Sequence, residues 1–149
     1  MNLSKGIVFI SLALFIITVF LLMSRNVPSG KSVLEEEASW LGEQTSVEND
    51  ITIAVTPGNI LPESQTWEWE IGLNTHSGDL DQDLLQIAVL TDGKGNVYKP
   101  LSWEGPRPGG HHINGKLFFP VPRPLPSSIQ LTLSQVAGVD RVFRWGPKP

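Results

Sequence analysis

Eighteen consecutive residues, Gly6 to Met23 (GIVFISLALFIITVFLLM), carry no charge, and only Ser11 and Thr18 among them have polar side chains. As a helix rising about 1.5 Å per residue they reach roughly 27 Å, close to the hydrocarbon thickness of a bilayer. A stretch that is apolar on every side needs lipid or a large protein interior around it, and the rest of the chain offers no second helix to cover it. A cleaved secretory signal has a shorter apolar core followed by a small-x-small site; here Ser24-Arg25-Asn26 follows Leu21-Leu22-Met23 directly. Residues 1–23 are therefore expected to be an uncleaved signal-anchor, one transmembrane helix that makes the protein single-pass. Lys5 on one side and Arg25 with Lys31 on the other nearly balance under the positive-inside rule. The five-residue head and the acidic Glu35-Glu36-Glu37 favour a cytoplasmic amino terminus. The C-terminal domain is then extracytoplasmic, held at the cell membrane.

Residues 24–49 read as a linker. SRNVPSGKS is polar and broken by Pro28 and Gly30, whereas VLEEEASWLGE has the spacing of a short helix, with Leu34, Ala38 and Leu41 on one face. Trp40 suits either docking on the domain or a headgroup layer. What remains, residues 50–149, is about 100 residues, the size of one small domain. The chain has no cysteine, which excludes disulfides, thiolate metal sites and thiol nucleophiles. Such a domain must be held by packing alone, as suits a prokaryotic envelope protein. Net charge is −4, without a run of Lys or Arg, so no nucleic-acid partner is expected. Twelve prolines and fourteen glycines favour turns and short strands over long helices.

Period-two alternation dominates the domain. Ile51, Ile53 and Val55 share one face before Pro57-Gly58-Asn59 ends the run. Trp67, Trp69, Ile71 and Leu73 share a face in TWEWEIGLN. Leu84–Thr91 is a continuous apolar run expected as an inner strand. Asp92-Gly93-Lys94-Gly95-Asn96 signals a hairpin, with Val97–Trp103 returning and Pro100 placing it at an edge or bulge. Gly115–Val121, the SIQLTLS segment and VDRVFRW supply further strands, and the proline-rich 120–126 stretch is a stiff connection between sheets. In VDRVFRW, Phe143 and Trp145 share a face with Arg141, an imperfect pattern. About seven strands at this spacing, with no long helix between them, predict an all-β, immunoglobulin-like antiparallel sandwich; a small barrel is the alternative.

The three histidines fall in predicted loops: His76 in NTHSGDLDQD, His111 and His112 in GGHHING. His76 follows the strand that ends near Leu73, and His111 precedes the strand that starts at Gly115. If those strands are neighbours, the imidazoles converge at one rim. Imidazole suits copper(II) or zinc, and carboxylates complete such shells. The candidate metal site is His76, His111 and His112 with Asp79, or Asp81 in its place. The plain alternative is that these residues cap turns. Asp79-Leu80-Asp81-Gln82-Asp83 opens like a calcium loop but lacks the following glycine and the closing glutamate, so a polar turn or helix cap is expected there. Trp103 is the aromatic expected beside the histidine loop.

The segment from Gly110 to Val121 resembles the C-terminal part of periplasmic copper carriers of the CopC type. The shared pattern is Gly-His, a Gly four residues after the His, then an alternating strand ending Phe-x-Val, matched by His111, Gly115, Phe119 and Val121. Where that family has Asp two residues before the His, this chain has Gly109. The resemblance covers about twelve residues. It implies a small β-sandwich and a role for His111 as a copper ligand.

No Gly-x-Ser-x-Gly elbow, phosphate loop or dinucleotide fingerprint is present, and Glu68 and Glu70 fall on the solvent face of a strand, so an enzyme is not expected. Two functions remain open: an accessory domain binding a copper or zinc ion, or a metal-free module that assembles with another membrane protein.

Overall fold

The computed structural model describes residues 41–146. The expected anchor, the possible short helix of the linker and Trp40 lie outside them. Among the described residues, no helix is long and apolar enough to cross a membrane.

Nine strands among the described residues form two antiparallel sheets. In chain order they are β1 (Gln44–Glu48), β2 (Ile51–Pro57), β3 (Thr66–Thr75), β4 (Ala88–Asp92), β5 (Val97–Tyr98), β6 (Ser102–Glu104), β7 (His112–Pro120), β8 (Ile129–Val136) and β9 (Val139–Trp145), with one helical turn, α1 (Leu84–Ile87), before β4. One sheet has the order β1-β2-β3-β7-β6, the other β5-β4-β8-β9. The inward residues of β2, β3 and β7 (Ile53, Val55, Trp69, Ile71, Leu117, Phe119) join those of β4, β8 and β9 (Leu90, Leu131, Leu133, Phe143, Trp145) in a single buried cluster. Each strand turns alternate side chains to that cluster, so the period-two pattern follows directly from the pleat. At its centre the rings of Trp69 and Trp145 lie 4.7 Å apart at 49°, a tilted pair worth about 1 kcal/mol beyond its buried area.

The sandwich has two poles. The turns β1–β2, β8–β9 and the long loops β3–β4 and β6–β7 sit at one. The loops β2–β3, β4–β5 and β7–β8 sit at the other, as the antiparallel registers require. The chain comes into the domain beside the middle of β3, where Gln44 is level with Val55 and Ile71 and the Trp145 indole donates to Gly42 O at 2.9 Å.

Four elements differ from expectation. β1 lies inside the stretch expected to be linker. Its sequence, QTSVE, is largely exposed and carries no apolar alternation, because an edge strand needs little of it. It pairs with β2 through a two-residue turn in which Asn49 and Asp50 both have positive φ, 50° and 62°, the backbone that a twisted hairpin favours. The Leu84–Thr91 run is not one strand. Asp83 caps a helical turn by accepting from Leu85 N at 3.0 Å, and pairing starts only at Ala88. Val97–Trp103 is not one strand either. It pairs with β4 for two residues and then crosses to the other sheet, since Pro100 has no N–H for a ladder. Leu101 N instead reaches Phe118 O at 2.7 Å. Finally, β7 begins at His112 rather than Gly115, so His112 is a strand residue. The proline-rich stretch does join one sheet to the other, from β7 to β8.

Candidate functional site: the histidine rim

The β3–β7 ladder pairs Asn74 with His112 and Leu73 with Ile113. It runs one step further, where Thr75 N donates to His111 O at 3.0 Å. His76 therefore follows a residue paired directly with His111, although 35 positions separate the two histidines in sequence. Beyond the ladder the loops are laced together: Leu80 N donates to Gly110 O at 2.8 Å, and Gly109 N donates to Leu80 O at 2.6 Å. The Leu80 side chain is fully buried and pins this lacing to the core. Gly109 and Gly110 both have positive φ, 127° and 77°, which explains two glycines before the histidines. On the β3 side, Thr75 is buried and its hydroxyl both donates to Ser77 O at 2.8 Å and accepts from Ser77 N at 3.2 Å, a tight turn directly after the strand.

His76, Asp79, Asp81, His111 and His112 are all exposed at this rim. His112 stands on the outward face of the sheet, where its Nδ1 lies 2.6 Å from Asn74 Oδ1. A carbonyl oxygen accepts, so Nδ1 is the donor in this contact, the way a metal-bound histidine is held by its outer partner. His111 has the opposite strand parity, so the two adjacent rings leave the chain on different sides. Among the described residues, no group of three or more His, Cys, Asp or Glu that could hold a metal ion is assembled. The rim brings the expected segments together without forming a closed four-ligand shell of the kind structural zinc takes. Asp83, counted with the acidic loop in sequence, is occupied as the cap of α1.

Trp103 on β6 braces the same loops from the side. Its indole N–H donates to Pro106 O at 2.9 Å, and its ring lies over Gly115, where an added Cβ would meet Trp103 Cη2 at 2.6 Å and Glu104 O at 2.4 Å. Gly115 is thus explained by packing.

One feature had no signal in the apolar pattern. On the outward face of the five-stranded sheet a shallow trough of about 380 Å³ is lined by Glu43, Thr56, Glu70, Asn114 and Lys116 over small residues Ala54 and Gly72. Lys116 pairs with Glu68 at 2.7 Å. That hydrogen bond, with the nearby charges of Glu68, Glu70 and Glu104, raises the ammonium above its usual value. The small residues face one another across the β2–β3 register, a coincidence visible only once the strands are paired.

Fold and rim define a class: a two-sheet antiparallel β domain with histidine-bearing loops gathered at one pole. No family model matches the chain, and no curated protein matches it. Among solved structures it is similar to MPT63, a secreted protein from Mycobacterium tuberculosis, at 18% identity over 71% of this chain and 92% of that chain, with a TM-score of 0.43.

Proposed function

We propose that this chain is a membrane-anchored, extracytoplasmic accessory domain of immunoglobulin-like type that presents its histidine pole to a partner protein of the envelope. The strand order supports the immunoglobulin-like reading. With β1 set aside, β2-β3-β7-β6 facing β5-β4-β8-β9 follows the A-B-E-D and C′-C-F-G arrangement of such sandwiches. The observation that carries the functional reading is the placement of the two poles. The chain comes into the domain beside Trp145, where Gln44 stands level with Ile71 through Val55, and the laced β3–β4 and β6–β7 loops project from the far end of β3, four residues or about 13 Å further along the strand. A tether on residues 24–40 then leaves those loops free to meet something else. A photo-crosslinking residue at His111 in intact cells is expected to yield one adduct of defined mass, and the same group at Val142, on β9 away from both poles, none. Equal labelling at both positions would count against the reading.

A second reading, a copper or zinc ion at the same pole, is favoured by the His112–Asn74 bond and by the CopC-type resemblance. His112 would supply one ligand through Nε2, with His76 or His111 and Asp79 completing the shell.

A further inference from the structure

We propose that the free edge of β7 over His112–Asn114 takes up an extended segment of the partner protein as an added strand. The proposal rests on the reading that the histidine pole meets such a partner, and it names how the two join. β6 pairs with β7 only at Ser102–Phe118, Trp103–Leu117 and Glu104–Lys116, whereas β7 itself reaches back to His112. The ladder fixes which groups are left over. Thr75 N donates to His111 O at 3.0 Å, so His111 turns its backbone groups toward β3. Along an antiparallel strand the N–H and C=O of successive residues face alternate edges. Ile113 and Gly115 therefore also face β3, while His112, Asn114 and Lys116 face the other way. Phe118 O accepts from Leu101 N on the β6 side at 2.7 Å, which keeps the same parity. Among the described residues, no backbone group bonds the edge-facing N–H or C=O of His112 or Asn114. Both residues are exposed.

The sequence keeps the chain's own next residues from closing this edge. Carried past the Glu104–Lys116 pair, the register sets Pro106 opposite Asn114 and Pro108 opposite His112. Those are the positions whose N–H would extend the ladder, and proline has none. The loop leaves the sheet instead. The Trp103 indole holds Pro106 O at 2.9 Å, and Gly109 N donates to Leu80 O, which carries the loop across to the β3–β4 connection. Unpaired strand edges are commonly blunted by charge, proline or a bulge. At the opposite edge of this sheet, β1 is tied to β9 through Gln44 and Arg141. His112-Ile113-Asn114-Gly115 has no carboxylate, lysine, arginine or proline. An added strand would lie end to end with β6. Its residue opposite the buried Ile113 turns inward, and that residue's neighbours turn outward beside His112 and Asn114. The segment that fits is polar, apolar, polar in alternation, with main-chain bonds supplying affinity and the inward side chain supplying choice.

Amide exchange on the full-length protein in lipid nanodiscs reads the edge directly. The His112 and Asn114 amides are expected to exchange at least about tenfold faster than those of Ile113 and Gly115; equal protection at all of them means a closed edge and overturns the proposal. The probe is a short capped peptide alternating threonine and valine, with a terminal lysine at each end for solubility. It is expected to slow exchange at His112 and Asn114, and no slowing up to its solubility limit overturns the proposal. With valine turned inward, the threonine amides face β7. Methylating those amides is expected to weaken the peptide at least about tenfold, the order expected for lost main-chain bonds, whereas methylating the valine amides leaves it unchanged. Equal effects overturn strand addition. In intact cells, Asn114→Pro removes an edge N–H and no bond to β3, and is expected to abolish the adduct formed by the photo-crosslinking residue at His111. An adduct kept in the variant overturns the edge and leaves the partner reading standing. No adduct even without the change overturns that reading and this proposal with it. An adduct of twice the chain's mass assigns the edge to a second copy and overturns the partner assignment. Should Asn114→Pro fail to fold, the methylated peptides decide on the wild-type chain.

Discussion

Arg141 Nη1 donates to Ser46 Oγ at 3.0 Å, joining the last strand of one sheet to the first strand of the other. The Arg141 side chain is 1% exposed, a costly place for a guanidinium; both Nη atoms find partners, whereas Nε is buried without one. Nη2 donates to Glu48 O, and the Glu48 carboxylate lies 3.8 Å from Nη1. Along the same seam the Gln44 amide exchanges two hydrogen bonds with the Arg144 backbone, and Asn49 Nδ2 donates to Ala137 O at 3.1 Å. Side chains here do what a backbone ladder does elsewhere, and they close the sandwich along its β1–β9 side.

Removing that grip separates packing from charge. Arg141→Ala leaves a void and orphans two acceptors, and is expected to cost about 2–4 kcal/mol. Arg141→Met keeps the volume without a buried charge and is expected to lie within about 1 kcal/mol of wild type, or to be more stable. Urea unfolding measures both. Amide exchange in β1 should quicken in each variant. A Met variant as damaged as Ala would show that the polar grip dominates.

Domain limits follow from the same seam. A fragment beginning at Ile51 lacks β1 and leaves Arg141 without its Ser46 and Glu48 partners, whereas one beginning at Glu37 keeps them. Five side-chain bonds of the seam go with residues 44–49, besides the ladder with β2; at roughly 1 kcal/mol each the five amount to about 5 kcal/mol, or more than about 20 °C in Tm for a domain of this size. Equal melting temperatures would reduce β1 to an ornament on the fold.

The strands whose faces differ sharply, β2, β3, β8 and β9, are readable from Ile51, Trp67, Ile129 and Val139 onward, because one side of each is buried. β1 is not, since an edge strand held by Gln44, Ser46 and Glu48 spends polar side chains on backbone partners and leaves no apolar period. Its one sequence signal is the Asn49-Asp50 pair at the turn. Arg141 looked like a break in the pattern because its partners lie about 95 positions away. The adjacency of the His76 and His111 segments needs β3 and β7 to be neighbours, which alternation does not decide and the strand pairing supplies. Whether their side chains share a ligand depends on which sides the rings leave the chain, and no spacing rule carries that.

Asp92 makes the domain sensitive to acid. Its carboxylate accepts from the Asn96 side chain, the backbone N–H groups of Lys94 and Asn96, and Tyr98. The Asn96 side-chain bond is the largest of the influences that lower its pKa below the usual 3.8. A lowered folded value means that this contribution is complete above pH 4 and is lost as pH falls from there through the folded pKa. Asp92→Asn should lose stability at neutral pH and show a flatter decline between pH 4 and pH 2 than wild type. Thermal melts across that range decide it, and parallel acid limbs would remove Asp92 as a source.

The contact of Trp103 with Gly115 yields a coupling prediction. Gly115→Ala forces a methyl against the Glu104 carbonyl and the Trp103 ring, and overpacking of this kind costs about 1–3 kcal/mol. Part of that cost disappears when the ring is gone, so Gly115→Ala combined with Trp103→Ala should be less destabilising than the sum of the two changes. Strict additivity in chemical denaturation would mean that the Glu104 backbone alone sets the need for glycine.

The His112–Asn74 bond distinguishes a ligand from a solvated ring. Should the rim hold copper(II), Nε2 of His112 is the ring nitrogen that the bond to Asn74 leaves over, and Asn74 is the partner that fixes the ring. Titration of the full-length protein is then expected to give one site per chain, abolished in His112→Ala and weakened roughly 10–100-fold in Asn74→Ala, the range typical of lost outer partners. A site that survives His112→Ala but disappears in His111→Ala moves the ligand to the other face of the strand, as the CopC-type resemblance implies. Absence of any stoichiometric site leaves the partner-binding reading alone at this pole.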